Sequence, residues 1–156
     1  MIEIPIPGHE PLRLSFLILD YNGTLARDGR ILHEVRERLE VLCKSLEIHV
    51  LTADTFGSVR KELAGIPCTL FIIPPEKQAE AKARHVETLG SDRTVCIGNG
   101  RNDRLMLKKA MLGIGVILEE GACLEAVLAA DVITHSILDA LDLLLFPLRL
   151  AATLRS

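Results

Sequence analysis

The sequence lacks closely spaced cysteines, and this bears on its redox state. Its four cysteines are far apart in the chain, and no two of them form a C-x-x-C pair. Isolated cysteines among apolar neighbours predict reduced, buried thiols, and the cytoplasm is the expected compartment. The cysteines are Cys43, Cys68, Cys96 and Cys123.

The sequence also lacks a long apolar run and an excess of positive charge. No apolar stretch approaches the ~20 residues that a membrane-spanning helix needs, and no basic leader precedes an apolar core. We therefore expect a soluble protein with no membrane partner. The net charge of -3 excludes the basic field that nucleic-acid partners require. Any phosphate group must be bound by a local site.

The length of 156 residues, of which 49% are hydrophobic and 25% charged, fits one compact domain. We expect residues 1–156 to form a single catalytic core domain.

Ile2, Ile4 and Ile6 alternate with polar residues and prolines, and Leu12 and Leu14 alternate after a Gly-His turn. This pattern predicts an amino-terminal β-hairpin, and its prolines predict a place at a sheet edge.

Short apolar strands then alternate with amphipathic helices. Alternation of this kind predicts an α/β fold, a three-layer doubly wound parallel sheet with helices on both faces. Asp54 or Thr55 is expected to cap the second helix. Strands are predicted at 16–19, 48–52, 68–73, 94–98, 114–118 and 131–134. Helices are predicted at 32–46, 60–64, 76–89, 103–112 and 122–130.

Polar residues collect where the predicted strands end. Asp20 follows the run FLIL, Thr52 ends the second strand, and the fourth strand continues into GNGRND at 98–103. An isolated aspartate after a strand is commonly a turn former or a helix cap. Because parallel strands end at a common crevice, several such residues at one edge favour a functional site.

These residues, in this order, resemble the haloacid dehalogenase (HAD) superfamily of phosphotransferases. The resemblance covers residues 16 to about 134 and is carried by DYNGTL at 20–25, a strand-ending Thr52, a helical lysine and the GNGRND loop. The second half is similar to the phosphorylation domain of P-type ATPases. The matching pieces there are Lys82, Val86 and Leu89 on one helix, LMLKKAMLGIGVI at 105–117 and AADVI at 129–133.

The resemblance implies a Rossmann-like core and assigns Asp20 as nucleophile, Thr52 as a donor to the phosphoryl group and Lys82 as the neighbouring cation. Lys77 is the alternative candidate for the role assigned to Lys82. An ionised carboxylate can attack phosphorus and form an aspartyl phosphate, and Mg²⁺ would neutralise the approaching anions. The expected Mg²⁺ ligands are Asp20, the backbone carbonyl of Asn22, Asn99 and Asp103. The expected substrate-binding residues are Gly23, Thr24, Ala53 and Asn102.

The sequence departs from the family at two positions. Asn22 stands where typical HAD phosphatases have a second aspartate, and an amide cannot act as general acid or base. Acyl phosphates, aryl phosphates and phosphoanhydrides, which have good leaving groups, are therefore the expected substrates. Asn99 stands where the resembling ATPases have an aspartate ligand, so Mg²⁺ affinity should be lower. A weak or inactive phosphate-binding or partner-binding regulatory module is the alternative function.

The spacing between Leu25, Thr52 and Lys82 leaves no room for a cap domain, and the crevice should be open. Either the substrate is a phosphoprotein rather than a phosphorylated small molecule, or a second copy of the chain covers the site. The hairpin and residues 143–146 are candidate contact surfaces. The other interpretation of 143–146 is a helix packed on its own core through Ile137, Leu141, Leu144 and Leu148.

Several other residues have simpler interpretations. The five histidines have no metal-like spacing and are expected to be surface or packing residues. Arg101 either faces the crevice or is solvated, and Asp28 with Gly29 predicts a turn that closes a small flap.

A hydrolytic dehalogenase of the same superfamily is a weaker candidate, because no cap supplies an apolar pocket. An ATP-driven pump is excluded, because the chain has no ion pathway.

Overall fold

The computed structural model describes residues 1–53 and 58–156, and its centre is a six-stranded parallel sheet. The strand order is β10-β9-β8-β3-β6-β7. The strands are β3 (Phe16–Asp20), β6 (Glu47–Thr52), β7 (Thr69–Ile72), β8 (Thr94–Gly98), β9 (Leu112–Val116) and β10 (Val132–Thr134). The predicted doubly wound α/β fold is confirmed.

Helices cover both faces of this sheet. The long helices are α1 (His33–Leu42), α3 (Gln78–Leu89), α6 (Ile137–Leu145) and α7 (Pro147–Leu154). The short ones are α2 (Val59–Glu62), α4 (Arg104–Lys109) and α5 (Leu124–Ala129). Leu17 and Leu19 pack in the same core as α1 and α6, whereas Ile18 packs with α3, α4 and α5. Strand β3 is therefore buried on both faces, as its unbroken apolar run predicts.

Two small antiparallel sheets flank the main one. Strands β1 (Ile2–Ile4) and β2 (Leu12–Leu14) form the predicted hairpin, but as a separate sheet rather than an edge of the main sheet. Its Ile4 and Leu14 are buried in the core. Strands β4 (Ala26–Arg27) and β5 (Arg30–Ile31) form the flap, and the predicted turn at Asp28 and Gly29 joins them with positive φ at both residues.

The ninth strand begins earlier than predicted, at Leu112 rather than 114, and α4 ends earlier, at Lys109. The helix predicted at 103–112 and the strand predicted at 114–118 leave Gly113 as a break between them. In the structure Gly113 lies within β9, and a Cβ there would lie 2.5 Å from the backbone oxygen of Leu107. The glycine is therefore required because helix and strand approach closely.

The carboxyl-terminal segment was predicted as one helix and forms two. Pro147 cannot continue a helix but is suited to begin one, so α6 ends at Leu145 and α7 starts at Pro147. Ile137, Leu141 and Leu144 are buried as predicted. The prediction for Leu148 is wrong: its side chain is 84% exposed, and Leu150 is buried instead.

The thiols are free, but their burial was only partly predicted. Cys96 is buried, whereas Cys43, Cys68 and Cys123 are half-buried.

No helix within the described ranges is long and apolar enough to cross a membrane. The capping residues expected for α2, Asp54 and Thr55, lie outside the described residues.

Candidate active site

The polar strand ends meet at one edge of the sheet. Strand β3 ends at Asp20, which pairs in register with Leu51 of β6, so Thr52 lies one residue beyond it. On its other side β3 pairs with β8, which ends at Gly98. The chain order reverses at β3, and this is where α/β sheets place ligand sites.

A buried lysine joins two of these polar residues. Lys82 Nζ lies 2.5 Å from Asp20 Oδ1 and 2.6 Å from Asp103 Oδ1, and the lysine side chain is 1% exposed. Lys82 is on the buried face of α3, together with Ala79 and Val86. Lys77 is exposed at the start of this helix. Of the two predicted lysines, Lys82 is therefore the one that contacts Asp20.

The GNGRND loop wraps around the carboxylate of Asp103. Its Oδ2 accepts hydrogen bonds from the backbone N–H groups of Asn99, at 3.0 Å, and Gly100, at 2.8 Å. A Cβ at Gly98 would lie 2.6 Å from Asp103 Cγ, so glycine is needed where this side chain folds back. Both oxygens of Asp103 are thus engaged, one by Lys82 and one by the loop. The role of Asp103 as a Mg²⁺ ligand stays a prediction.

Thr24 lies between Asp20 and Asn99. Its Oγ1 is 3.3 Å from Asp20 Oδ2 and 3.2 Å from Asn99 Oδ1. Asn99 Nδ2 donates to the carbonyl of Gly121 at 3.0 Å, which turns the amide oxygen toward Thr24. A hydroxyl has one proton and can donate to only one of these two acceptors at a time. One oxygen is therefore always free to accept another donor or a cation.

The charges in this cluster do not balance. Burial, followed by the nearby charge of Asp103, raises the pKa of Asp20 to about 6, although Lys82 opposes the shift. Burial also disfavours the charge on Lys82, but the two carboxylates outweigh it and raise the pKa of the lysine. One cation thus faces two carboxylates, and all three side chains are nearly buried. A further cation bound beside Asp20 and Asp103 would balance the second negative charge.

Asn22 Oδ1 is a buried acceptor that has no hydrogen-bond partner within residues 1–53 and 58–156. An unsatisfied buried acceptor costs about 1–3 kcal/mol, so such atoms commonly mark places where a ligand or ion completes the contacts. Asn22 lies at the base of the flap, where it bridges to Ala26. The resemblance described above implies a general acid at this position in typical HAD phosphatases.

The predicted ligand set fits a hard divalent cation by its chemistry. Asp20 and Asp103 offer carboxylate oxygens, Asn99 an amide oxygen and Asn22 a carbonyl, which are the donor types that Mg²⁺ binds. No three His, Cys, Asp or Glu side chains of the described chain form a metal-binding cluster. The set therefore matches a mixed oxygen site and not a zinc centre.

The other predicted site residues have varied surroundings. Gly23 has φ of +75°, which glycine adopts without strain. Thr52 is buried, and its carbonyl accepts from Ile73 N at 2.8 Å, while Ala53 is half-buried. Asn102 Nδ2 donates to Gln78 Oε1 at 2.8 Å and so ties the loop to α3. Their roles toward substrate stay predictions.

Arg101 is exposed rather than directed into the cluster, and it pairs with Glu125 at 3.0 Å. Sequence reasoning missed the turn at Glu120 and Gly121, which contacts Asn99 and Gly23. The sequence carries a signal for this turn, because Glu119, Glu120 and Gly121 directly follow the strand predicted at 114–118. This turn follows β9, whose carboxyl end lies at the same edge of the sheet.

Comparison with other proteins places the chain in a family. No family model matches it. It is 47% identical over 79 residues to the uncharacterized protein MJ0073 of Methanocaldococcus jannaschii, a match that covers 48% of this chain and 85% of that protein. A second protein of this archaeon, MJ0072, is 51% identical over 39 residues, which cover 25% of this chain and 89% of that one. The chain belongs to the family of these proteins.

Solved structures show which superfamily fold the chain has. The 3-deoxy-D-manno-octulosonate 8-phosphate phosphatase of Moraxella catarrhalis, in complex with magnesium and phosphate ions, matches with a TM-score of 0.71 and 16% identity, over 89% of this chain and 92% of that one. The cobalt-bound enzyme of Haemophilus influenzae matches with a TM-score of 0.73 and 16% identity, over 92% and 94%. The predicted HAD-like fold is therefore confirmed, and the chain has the fold of these phosphatases.

Proposed function

We propose that the chain is a Mg²⁺-dependent phosphohydrolase or phosphotransferase that works through an aspartyl phosphate on Asp20. The observation that carries this proposal is the buried contact of Asp20 with Lys82 at the switch point of the sheet, 2.5 Å from oxygen to nitrogen. The phosphatase fold of the structural neighbours supports the reaction class. Magnesium and cobalt in those structures support a divalent cation.

The reaction has two displacement steps at phosphorus. A carboxylate oxygen of Asp20 attacks the phosphoryl group, and the bond from phosphorus to the leaving oxygen breaks with its electron pair on the leaving group. Water then attacks the same phosphorus, the bond to Asp20 breaks, and the carboxylate is restored. The proton of the water passes to the released phosphate or to solvent.

Residues around Asp20 hold it and receive the phosphoryl oxygens. Lys82 fixes one carboxylate oxygen in place and remains charged, so it also attracts the anionic group. Thr52 donates its hydroxyl to a phosphoryl oxygen. Backbone N–H groups after Asp20, with Gly23, Thr24, Ala53 and Asn102, complete the phosphate-binding surface.

Asp20, the carbonyl of Asn22, Asn99 and Asp103 would hold the Mg²⁺ ion. When bound, the ion supplies the positive charge that the one lysine lacks against two carboxylates and a phosphate. Its affinity is lowered by the neutral side chain at Asn99.

The residue at position 22 limits the substrates. An amide cannot protonate a leaving oxygen, so alkyl phosphates lose an acceleration of about 10²–10⁴-fold. The leaving groups of acyl phosphates, aryl phosphates and phosphoanhydrides depart as stable anions without that proton. These are the proposed substrate classes.

The crevice is open to a phosphorylated small molecule or to a phosphoprotein. Between Asp20 and Thr52 the chain forms only the flap, α1 and β6, all within the described residues. We infer a single domain without a cap, and a second copy of the chain as the group that can cover the site. The free thiols support the cytoplasm as its location.

A second candidate is a regulatory module that binds phosphate or a partner without turnover. Asn22 Oδ1, buried and without a partner in the described chain, favours it, because an amide here removes the general acid and leaves an acceptor for a ligand. The similarity of the second half to P-type ATPases is compatible with both candidates.

Hydrolysis of acetyl phosphate or p-nitrophenyl phosphate with Mg²⁺ tests the proposal. We expect turnover by the wild type, none by Asp20→Asn, and wild-type turnover by Asp139→Asn, which removes an exposed carboxylate on α6. Turnover that survives Asp20→Asn contradicts the nucleophile. A wild type that binds phosphate but turns over neither substrate favours the regulatory module.

A further inference from the structure

The turn after β9 is attached to the candidate site from two sides. Gly121 N donates to Leu118 O at 2.9 Å, and Gly121 has φ of +72°, so residues 118–121 form a tight reversal. Asn99 Nδ2 donates to the carbonyl of Gly121, and Asn99 O accepts from Cys123 N at 2.9 Å. The position of the turn is therefore coupled to Asn99.

This turn places the carboxylate of Glu120 against the nucleophile loop. A Cβ built on Gly23 would lie 2.5 Å from Glu120 Oε2 and 2.8 Å from Asn99 Nδ2. The glutamate and the amide thus lie on the same side of Gly23, the residue next to the carbonyl of Asn22. Both Asn22 and Asn99 belong to the proposed Mg²⁺ ligand set.

Two carboxylates less one lysine leave the proposed site a single net negative charge to set against an ion of charge +2. Lys82 takes one oxygen of Asp20 and one of Asp103, and the loop amides take the second oxygen of Asp103. Asn99 contributes no charge. A carboxylate beside Asn99 compensates for that neutral side chain, because each added carboxylate strengthens the binding of a hard cation.

We propose that Glu120 binds the divalent cation through a water molecule and supplies the charge that Asn99 lacks. This inference rests on the proposed function, since it concerns the same ion. Glu120 is exposed and has no ion-pair partner in the part of the chain that the structure describes. Its carboxylate is therefore available.

The neighbouring Glu119 provides a matched control. It has the same charge and lies in the same turn, but its carboxylate pairs with Arg27 of the flap. Its charge is thus balanced by a guanidinium. Either substitution changes the net charge of the protein by the same amount, so weaker cation binding in Glu120→Gln alone reports a contribution at the cation.

The test is a titration of substrate-free protein with Mg²⁺ by calorimetry, and with Mn²⁺ by electron paramagnetic resonance. We expect Glu120→Gln to weaken cation binding by about 10–100-fold, as loss of a supporting carboxylate does at other metal sites. Glu119→Gln should stay within about twofold, and Asp20→Asn should abolish the same binding. Thermal midpoints close to that of the wild type confirm that the two glutamine variants are folded.

Equal affinity of Glu120→Gln and Glu119→Gln, with binding lost in Asp20→Asn, overturns the role of Glu120 and leaves the proposed function intact. Cation binding that survives Asp20→Asn shows that the ion binds elsewhere, and overturns both. Wild-type protein that binds neither ion also overturns both.

Discussion

Lys82 Nζ lies 2.5 Å from Asp20 Oδ1, although 62 positions separate the two residues in the chain. The contact joins the buried face of α3 to the end of β3. It also brings Asp103 into the same cluster, since the lysine is shared between both carboxylates. Lys82 is therefore part of the fold as well as of the proposed chemistry, and its loss should affect both.

Replacement of Lys82 by Met should destabilise the protein strongly. It leaves two buried carboxylates without a counter-ion, and breaking a buried pair by removing one partner costs about 3–5 kcal/mol. Lys108→Met is the control, because Lys108 is exposed on α4 and surface changes stay within about 0.5 kcal/mol. Urea unfolding measures both, and equal stabilities would show that Lys82 does not neutralise this cluster.

Replacement of Asp20 by Asn should raise stability in metal-free buffer. The variant removes one of two mutually repelling carboxylates and leaves Lys82 paired with Asp103. Since burial and Asp103 raise the pKa of Asp20 to about 6, the ionised form costs stability above that pH. The gain should shrink as the pH falls through about 6 and vanish below about 4, where Asp20 is protonated in both the folded and the unfolded state. A variant less stable than wild type at neutral pH would contradict this charge balance.

Replacement of Asn22 by Asp should broaden the range of leaving groups. A carboxyl group at this position can protonate an alkyl oxygen, so hydrolysis of alkyl phosphates should rise by up to about 10²–10⁴-fold while acyl phosphates change little. Asn99→Asp is the comparison, and it should strengthen Mg²⁺ binding without changing this selectivity. An equal rise for every substrate in Asn22→Asp would argue against a general-acid role at position 22.

The pair of His49 and His85 should make the fold sensitive to acid. His49 Nδ1 lies 2.8 Å from His85 Nε2, and burial, followed by the charge of His49, lowers the pKa of His85. A histidine with a lowered folded pKa stabilises the protein above its unfolded value of about 6.5, and this stability is lost as the pH falls below it.

Urea midpoints at about pH 7.5 and about pH 5.5, on either side of the ordinary histidine value, measure this loss. His85→Gln should reduce the difference between the two midpoints, whereas His135→Gln, at an exposed position, should retain it. If His85→Gln and wild type lose the same stability, the pair is not the acid-sensitive element.

Patterns within single segments predicted most of the fold. Apolar runs such as FLIL located β3, and β8 was placed at its observed bounds, because strand burial depends on local sequence. Several boundaries were misplaced: the helix predicted at 32–46 ends at Leu42, and the one predicted at 76–89 begins at Gln78. Gly113 serves a close helix-strand approach that no local pattern shows. Pro147, which ends one helix and begins another, is a local signal that the prediction did not use.

The candidate site was predictable as a set of residues but not as a set of contacts. Strand ends identified Asp20 and the 98–103 loop, because the carboxyl edge of a parallel sheet follows from topology. The orientation of the Asn99 amide, set by Gly121, and the approach of Glu120 to Gly23 depend on a turn distant in sequence. Such contacts appear only when the turn is placed in three dimensions.

Covalent labelling of Asp20 tests the central claim most directly. Wild-type protein mixed with acetyl phosphate and Mg²⁺, quenched in acid and digested, should show by mass spectrometry one phosphoryl group on the peptide that contains Asp20. Hydroxylamine should remove the group, as expected of an acyl phosphate, and Asp20→Asn should carry none. Turnover by the wild type with no phosphoryl group on Asp20, or with the group on another residue, would contradict the assignment of Asp20 as nucleophile.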